Sequence, residues 1–444
     1  MGQSKSGSAV ADAGPAEFPD ARRAWYVVIL LTLLYALSFT DRLLLALLAQ
    51  PVASALTLTD GQLALLLGAG FAIVYALSGL PIADRIDRND RVKIVVAGVA
   101  LWSVMTMASA FASNFWTLFA LRSGVALGEA VLTPAAVSLI GDLFPQKRRA
   151  VPTAVYGSMG SMMSTGAFVI GGAVLAFSGT IDHKVGLAAW QLTFIFLGCP
   201  GLLIAFLMLF TVKDPRHAPQ ANTTKLAGMT FVEMLGYLRG RSGFYLAFYL
   251  GLALITTVSM GTISWMPTAI VRNFGGSVQQ AGYQVGAMGL TAGILSTIFW
   301  PWLAQWLAGK GRKDGTLIGL LASGAIAVAA LVLGIGQSSL NLVLGAFFVA
   351  MFGLASVGVL APLALQMFGP RMIRARLTSL YILATSLFGY ALGPLVVVGL
   401  AKFWTGPNAL IHGMIVNAAL AGGLSCLAFL LCLKASRRMD HQPD

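Results

Sequence analysis

Twelve long apolar runs, separated by short polar stretches, leave this chain few folds to choose from. They lie near residues 25–50, 62–83, 93–112, 115–141, 151–178, 190–212, 243–270, 280–308, 316–336, 339–366, 373–402 and 408–433. Each reaches the ~20 residues that a helix needs to cross a ~30 Å hydrocarbon layer. Lipid offers no partner to a backbone N–H or C=O, so such runs must satisfy themselves as helices. The charge content agrees: 10% of the 444 residues are charged, against ~25% in soluble domains. The expected fold class is an all-α membrane protein with 12 transmembrane helices.

Lys and Arg set the expected orientation, because they accumulate on the cytosolic side. With the N-terminus inside, three of the 29 basic residues (Lys184, Arg272, Lys402) fall in outer loops and two (Arg42, Arg122) within spans. That leaves 24 on the inner side. Both termini are therefore expected in the cytosol, with the protein multi-pass in the plasma (inner) membrane. The net charge of +13 reads as topology, with contact to anionic membrane lipids as a secondary effect, and not as nucleic-acid binding. Cys199, Cys426 and Cys432 lie in apolar runs without metal-ligand spacing, and the four histidines are scattered. No phosphate-binding loop of the ATP-driven pumps appears, and no nucleophile–base set suggests an enzyme. No metal or cofactor is expected.

Residues 213–242 form the longest polar stretch between spans and divide the chain into six spans and six. Residues 1–24 read as a disordered cytosolic tail, 25–212 as one six-helix bundle, and 243–433 as the second. The linker 213–242 carries an amphipathic helix near Met229–Leu238, and 434–444 reads as a cytosolic tail. An internal repeat supports the division. Phe144-Pro145 to Arg149-Ala150 follows span four, and Phe368-Gly369-Pro370 to Arg374-Ala375 follows span ten with the same Pro-to-Arg-Ala spacing. Paired six-span halves place a substrate site between them near the midplane.

Four ionisable residues fall inside spans: Asp41 and Arg42 in span one, Arg122 and Glu129 in span four. A charge at the bilayer centre costs at least ~2.5–3.5 kcal/mol and is normally paired and turned to a cavity. At 1.5 Å per residue, Asp41 and Arg122 reach similar depth in the outer half. Glu129 lies two turns beyond Arg122 on the same face, near the middle. Arg122 is thus placed to choose between carboxylates on two helices. A carboxylate beside a guanidinium gives up its proton readily, and one left alone in apolar surroundings keeps it. Repartnering of Arg122 would load or release a proton. A static ion pair that fixes helix packing, or a site for a charged substrate, fits the same residues. Arg42 points about 100° away from Asp41, which would let it snorkel outward, meet an anionic head group or take no role.

On the inner side, Asp84 and Arg85, with Arg88 beyond, close span two. Asp84 could cap its loop or latch the cytosolic gate by pairing with Arg376 near span eleven. A plain solvated cluster is the bland reading. Glycines crowd spans five and eleven, where packing and bending explain them equally well. Polar residues of the second half, Tyr381 among them, are mostly neutral. Tyr381, Arg42, Arg122 and Glu129 form the candidate substrate-binding set.

These features resemble the major facilitator superfamily. The resemblance rests on the six-plus-six repeat, Asp84-Arg85 with Arg88 and Arg91 after span two, and Arg122 in span four. Within it, Thr40-Asp41-Arg42 and the stretch Arg122 to Gly128-Glu129-Ala130 resemble the spinster-type lipid transporters. The resemblance implies a fold of two six-helix bundles with inverted repeats, alternating access, and proton-linked transport in which Asp41 and Glu129 respond to protons and Arg122 switches partner. It also implies an amphipathic substrate of lysolipid or sphingolipid type. Leu80, Gln305 and Gln191 depart from the superfamily pattern, and span five lacks the Gly-Pro of proton antiporters. The alternative is a transporter of a small organic anion, sugar acid or drug. The chain is expected to act as a monomer.

Overall fold

The computed structural model describes residues 18–145, 148–215, 231–370 and 373–439. Among the described residues, twelve helices are long and apolar enough to cross a membrane. Spans one to six run Ala21–Leu47, Asp60–Gly79, Arg91–Ser109, Phe115–Leu143, Ala150–Val185 and Ala189–Thr211. Spans seven to twelve run Ser242–Phe274, Val278–Gly309, Gly315–Gly334, Leu340–Phe368, Arg376–Ala401 and Ala409–Arg438. A short helix, Phe231–Gly240, precedes span seven. Large apolar side chains such as Trp116, Phe210, Leu246 and Leu333 are exposed, as a lipid-facing surface requires.

Several boundaries differ from the sequence expectation. Span one begins at Ala21, so residues 21–24 are helix and not tail. Span five continues to Val185, where Gly186 takes a left-handed backbone and stops it. The last helix runs to Met439, so 434–439 are helical as well. In each case the polar end of a helix carries no apolar pattern to mark it, although its backbone still gains helical hydrogen bonds.

Within the first half, span one packs on span five and span three on span six; in the second, span seven packs on span twelve and span nine on span ten. Small residues permit the closest approaches: at Gly98 and Gly128 the backbones of spans three and four nearly touch. Span four breaks at Ala130–Val131, where Pro134 cannot donate to the carbonyl of Ala130. The halves meet where span five packs on span eight and span two on span eleven.

Three segments wind as π-helix: Leu65–Ala69 in span two, Thr385–Leu392 in span eleven and Ala418–Gly422 in span twelve. The first two face each other across the halves. Pro394 supplies no N–H to the carbonyl of Tyr390 one turn back, which helps the wider winding. Against that carbonyl sits Gly68, where a Cβ would fall 2.5 Å from Tyr390 O and 2.9 Å from Ala391 O.

Asp314 ties the polar end of the last span to the loop before span nine. Its carboxylate accepts from Arg312 Nε at 3.1 Å and Arg437 Nε at 2.9 Å. Burial works against ionisation, yet these hydrogen bonds and the two positive charges hold the carboxyl below the usual carboxylate range.

Two outcomes follow from this packing. Gly68→Ala should disfavour the present conformation by about 1–3 kcal/mol, seen as a lengthened distance between spin labels at Ser54 and Thr405. A folded-state pKa below the unfolded one stabilises above the unfolded value and is lost as pH falls through the folded one. Asp314→Asn should therefore lower thermal stability at pH 7 but not in acid below the usual carboxylate range, where parent and variant should converge.

Candidate functional site

Spans one and four bring the four intramembrane charges together as two ion pairs. Arg122, 2% exposed, points Nη1 at both carboxylate oxygens of Asp41 at 3.3 Å and donates Nη2 to the Asp41 backbone carbonyl at 3.2 Å. Thr106 of span three donates to Asp41 Oδ2 at 2.8 Å. Glu129, 1% exposed, accepts from Arg42 Nη2 at 2.8 Å and from Ser38 at 2.7 Å, both on Oε2. Its Oε1, with Nε of Arg42 and Nε of Arg122, makes no hydrogen bond to protein. The cluster is neutral overall, which limits the cost of holding four charges at membrane depth.

Arg42 corrects the sequence reading. It neither snorkels nor faces a head group: its side chain is 12% exposed and pairs with Glu129. In a helix Cα–Cβ bonds tilt toward the N-terminus, so the long side chain runs back one turn. It ends beside Ser38, four residues earlier, where Glu129 lies. Arg122 therefore holds one carboxylate here and Arg42 the other. The guanidinium carbon of Arg42 also lies 5.1, 4.6, 5.1 and 5.5 Å from the ring centres of Phe39, Phe71, Tyr75 and Tyr390. Rings at this distance attract a cation through their negative faces.

Between the halves lies a cavity of about 290 Å³, the lower end of small-ligand sites. Tyr35 and Phe39 of span one, Thr256 and Ser259 of span seven, and Tyr381 and Tyr390 of span eleven line it. Tyr381 thus lies on the cavity wall. Arg42, Arg122 and Glu129 are not on the cavity wall; Phe39 and Tyr390 stand between the cavity and Arg42.

The face opposite the chain termini is held shut by a contact between halves. Arg272 at the end of span seven grips Asp60 at the start of span two through two bonds of 2.7 Å, and its Nε reaches Gln50 at 3.1 Å. Sequence reasoning placed Arg272 in an outer loop and passed over Asp60. A lone positive loop residue and a helix N-terminal acid were the available signal.

On the termini side, Arg85, Arg88 and Arg376 are exposed, and the Asp84 side chain lies outside the described residues, so an Asp84–Arg376 latch is not part of this description. Arg91 is instead the buried cation there, 1% exposed. Its backbone N–H donates to Asp214 at 2.8 Å, its guanidinium pairs with Asp214 and Asp142, and Ser138 accepts from it. This staples spans three, four and six within the first half. Among the described residues no group of His, Cys, Asp and Glu could hold a metal ion.

Two six-span halves around a central cavity, with paired charge at membrane depth, have the architecture of a secondary transporter. The chain belongs to the Major Facilitator Superfamily, whose sequence profile matches residues 31–394. A bacterial homolog of the human lysosomal transporter Spinster, solved in an inward-facing and unoccupied conformation, shares the fold with a TM-score of 0.79. It is 26% identical, over 94% of this chain and 98% of that one. An MFS-type efflux pump of Mycolicibacterium smegmatis is 28% identical over 97% of both chains. A probable galactarate/D-glucarate transporter, GudP of Bacillus subtilis, is 25% identical over 65% of this chain and 66% of its own. The protein is thus a membrane transporter of this superfamily, with a spinster-like fold, and not an enzyme.

The Asp60–Arg272 pair is partly solvent-exposed, so its worth is about 1 kcal/mol, or about fivefold in an equilibrium. Asp60→Asn should shift the protein by that factor toward opening opposite the termini. Paired labels at Ser54 and Thr405 would read it, and the shift should shrink at high salt.

Proposed function

We propose that this protein is a proton-coupled secondary transporter that moves an amphipathic, lipid-like substrate of lysolipid or sphingolipid type by alternating access. The observation that carries the reading is the neutral four-charge cluster behind the cavity. Glu129 has one oxygen held by Arg42 and Ser38 and the other without a protein partner. A proton arriving there cancels the attraction to Arg42 and changes which partners the two arginines prefer. Asp41 and Glu129 are the proton-responsive groups, and Arg122 and Arg42 their partners. The resemblance of Thr40-Asp41-Arg42 and of Arg122 to Ala130 to the spinster-type lipid transporters supports a lipid-like substrate. The inward-facing state of the spinster homolog supports a cytosolic position for the present cavity, and the basic residues support both termini in the cytosol. The protein is a monomer in the plasma (inner) membrane.

A second reading has its own support. The cavity is small and ringed by neutral hydroxyls, and GudP is named for sugar-acid transport, so a small organic anion, sugar acid or drug would suit the same fold. The efflux-pump relative is consistent with export of either class.

Reconstitution in liposomes separates these readings. With a proton gradient imposed, flux of a labelled lysolipid should follow the gradient, and labelled glucarate should not move. Asp41→Asn combined with Glu129→Gln should reduce gradient-driven flux by at least about tenfold, as loss of a bias of about 1.4 kcal/mol would. Equal flux with and without the gradient would end the coupling proposal, and transport of glucarate alone would favour the second reading.

A further inference from the structure

The groups that would sense a proton all lie in the first half: Asp41 and Arg42 on span one, Arg122 and Glu129 on span four. Titration inside one rigid half does not decide which face of the protein is open. It biases that equilibrium only through a contact that is made in one conformation and lost in the other.

Tyr390 makes such a contact. It belongs to span eleven, in the second half, yet its ring centre lies 5.5 Å from the Arg42 guanidinium. Phe39, Phe71 and Tyr75 also face Arg42, but they belong to the first half and travel with it. The backbone holds the Tyr390 ring in place. Its residue sits in the π-helical stretch Thr385–Leu392, its carbonyl is packed against Gly68, and Gly389 before it lies against Thr256 of span seven. Asp60–Arg272 also crosses the halves, but at a partly exposed rim.

We infer that Tyr390 is the positioning residue through which the charge state of the Arg42–Glu129 pair reaches the second half. The inference rests on the proton-coupling reading above and adds its point of transmission. With Glu129 ionised, Arg42 is held between the carboxylate and the ring, and the halves stay together opposite the termini. A proton added to Glu129 leaves a neutral carboxylic acid and removes the charge pair. Arg42 is then free to leave the ring, and the contact between halves weakens. The other titratable or charged groups near the ring are Tyr35 of span one, Tyr75 of span two and Tyr381 of its own helix, with Asp41 and Arg122 beyond Glu129. Arg42 is the charged side chain the ring meets.

The test is the distance between spin labels at Ser54 and Thr405 as a function of pH, in the full-length protein in lipid nanodiscs. Tyr390→Leu removes the ring but keeps apolar bulk. At neutral pH it should shift the population about tenfold toward the form open opposite the termini, the effect of one desolvated cation–ring contact. At low pH, where the parent has already released Arg42, the two should converge. Tyr390→Phe keeps the ring face and should follow the parent. Phe71→Leu removes a closer ring, but one made in both conformations, and should leave the distribution where it was. If Tyr390→Leu does not fold, Tyr390→Met makes the same deletion with a flexible side chain. A pH response in Tyr390→Leu or Tyr390→Met that matches a responsive parent, or an equal shift in Phe71→Leu, overturns this inference and leaves proton coupling standing. A parent with no pH response overturns the coupling reading, and this inference with it.

Discussion

A guanidinium or carboxylate in hydrocarbon has nowhere to find a counter-charge except within the protein. That constraint organises spans one and four. Asp41 and Arg42 are adjacent in sequence yet serve different partners, because one helical step turns them apart and the length of Arg42 carries its charge back by a turn. Asp41 meets Arg122 near one depth, and Glu129 meets Arg42 at another. Removing any one member leaves a buried charge alone, which typically costs about 3–5 kcal/mol. The four residues are therefore one unit, and a proton is the smallest species that can change its balance without dismantling it.

The residues around that unit satisfy it and separate it from the cavity. Thr106 and Ser38 occupy carboxylate oxygens that water would otherwise seek. Phe39 and Tyr390 form a layer between the cluster and the cavity. Rigid bodies on either side are secured separately, by Arg91 with Asp142 and Asp214 in the first half and by Asp314 with Arg312 and Arg437 in the second. The halves meet where span five packs on span eight and span two on span eleven, with Asp60–Arg272 joining them at the rim.

Much of this was legible in the sequence. Apolar runs of adequate length have one solution in lipid, so the twelve helices and the six-plus-six division followed from hydropathy and basic residues. Asp41, Arg122 and Glu129 stood out because their types are costly where they lie. The partner of Arg42 did not, because it depends on the reach and direction of one side chain and not on its place in a helical wheel. The grip of Arg272 on Asp60, and the meeting of Tyr390 with Arg42, join residues separated by 212 and by more than three hundred positions. No local pattern encodes such pairs; they exist only once the halves are docked. The π-helical segments were equally hidden, since Gly393-Pro394 announces a disturbance but not its winding.

One asymmetry has consequences for how such proteins diversify. Among the described residues, the Asp, Glu, Lys and Arg side chains at mid-membrane depth belong to the first half, while the second half contributes hydroxyls, glycines and rings to the cavity. Substitutions at Thr256 and Ser259 of span seven or Tyr381 of span eleven therefore reshape the cavity wall without touching the four charges. A charge cluster confined to one half leaves the other half free to vary its share of the cavity wall.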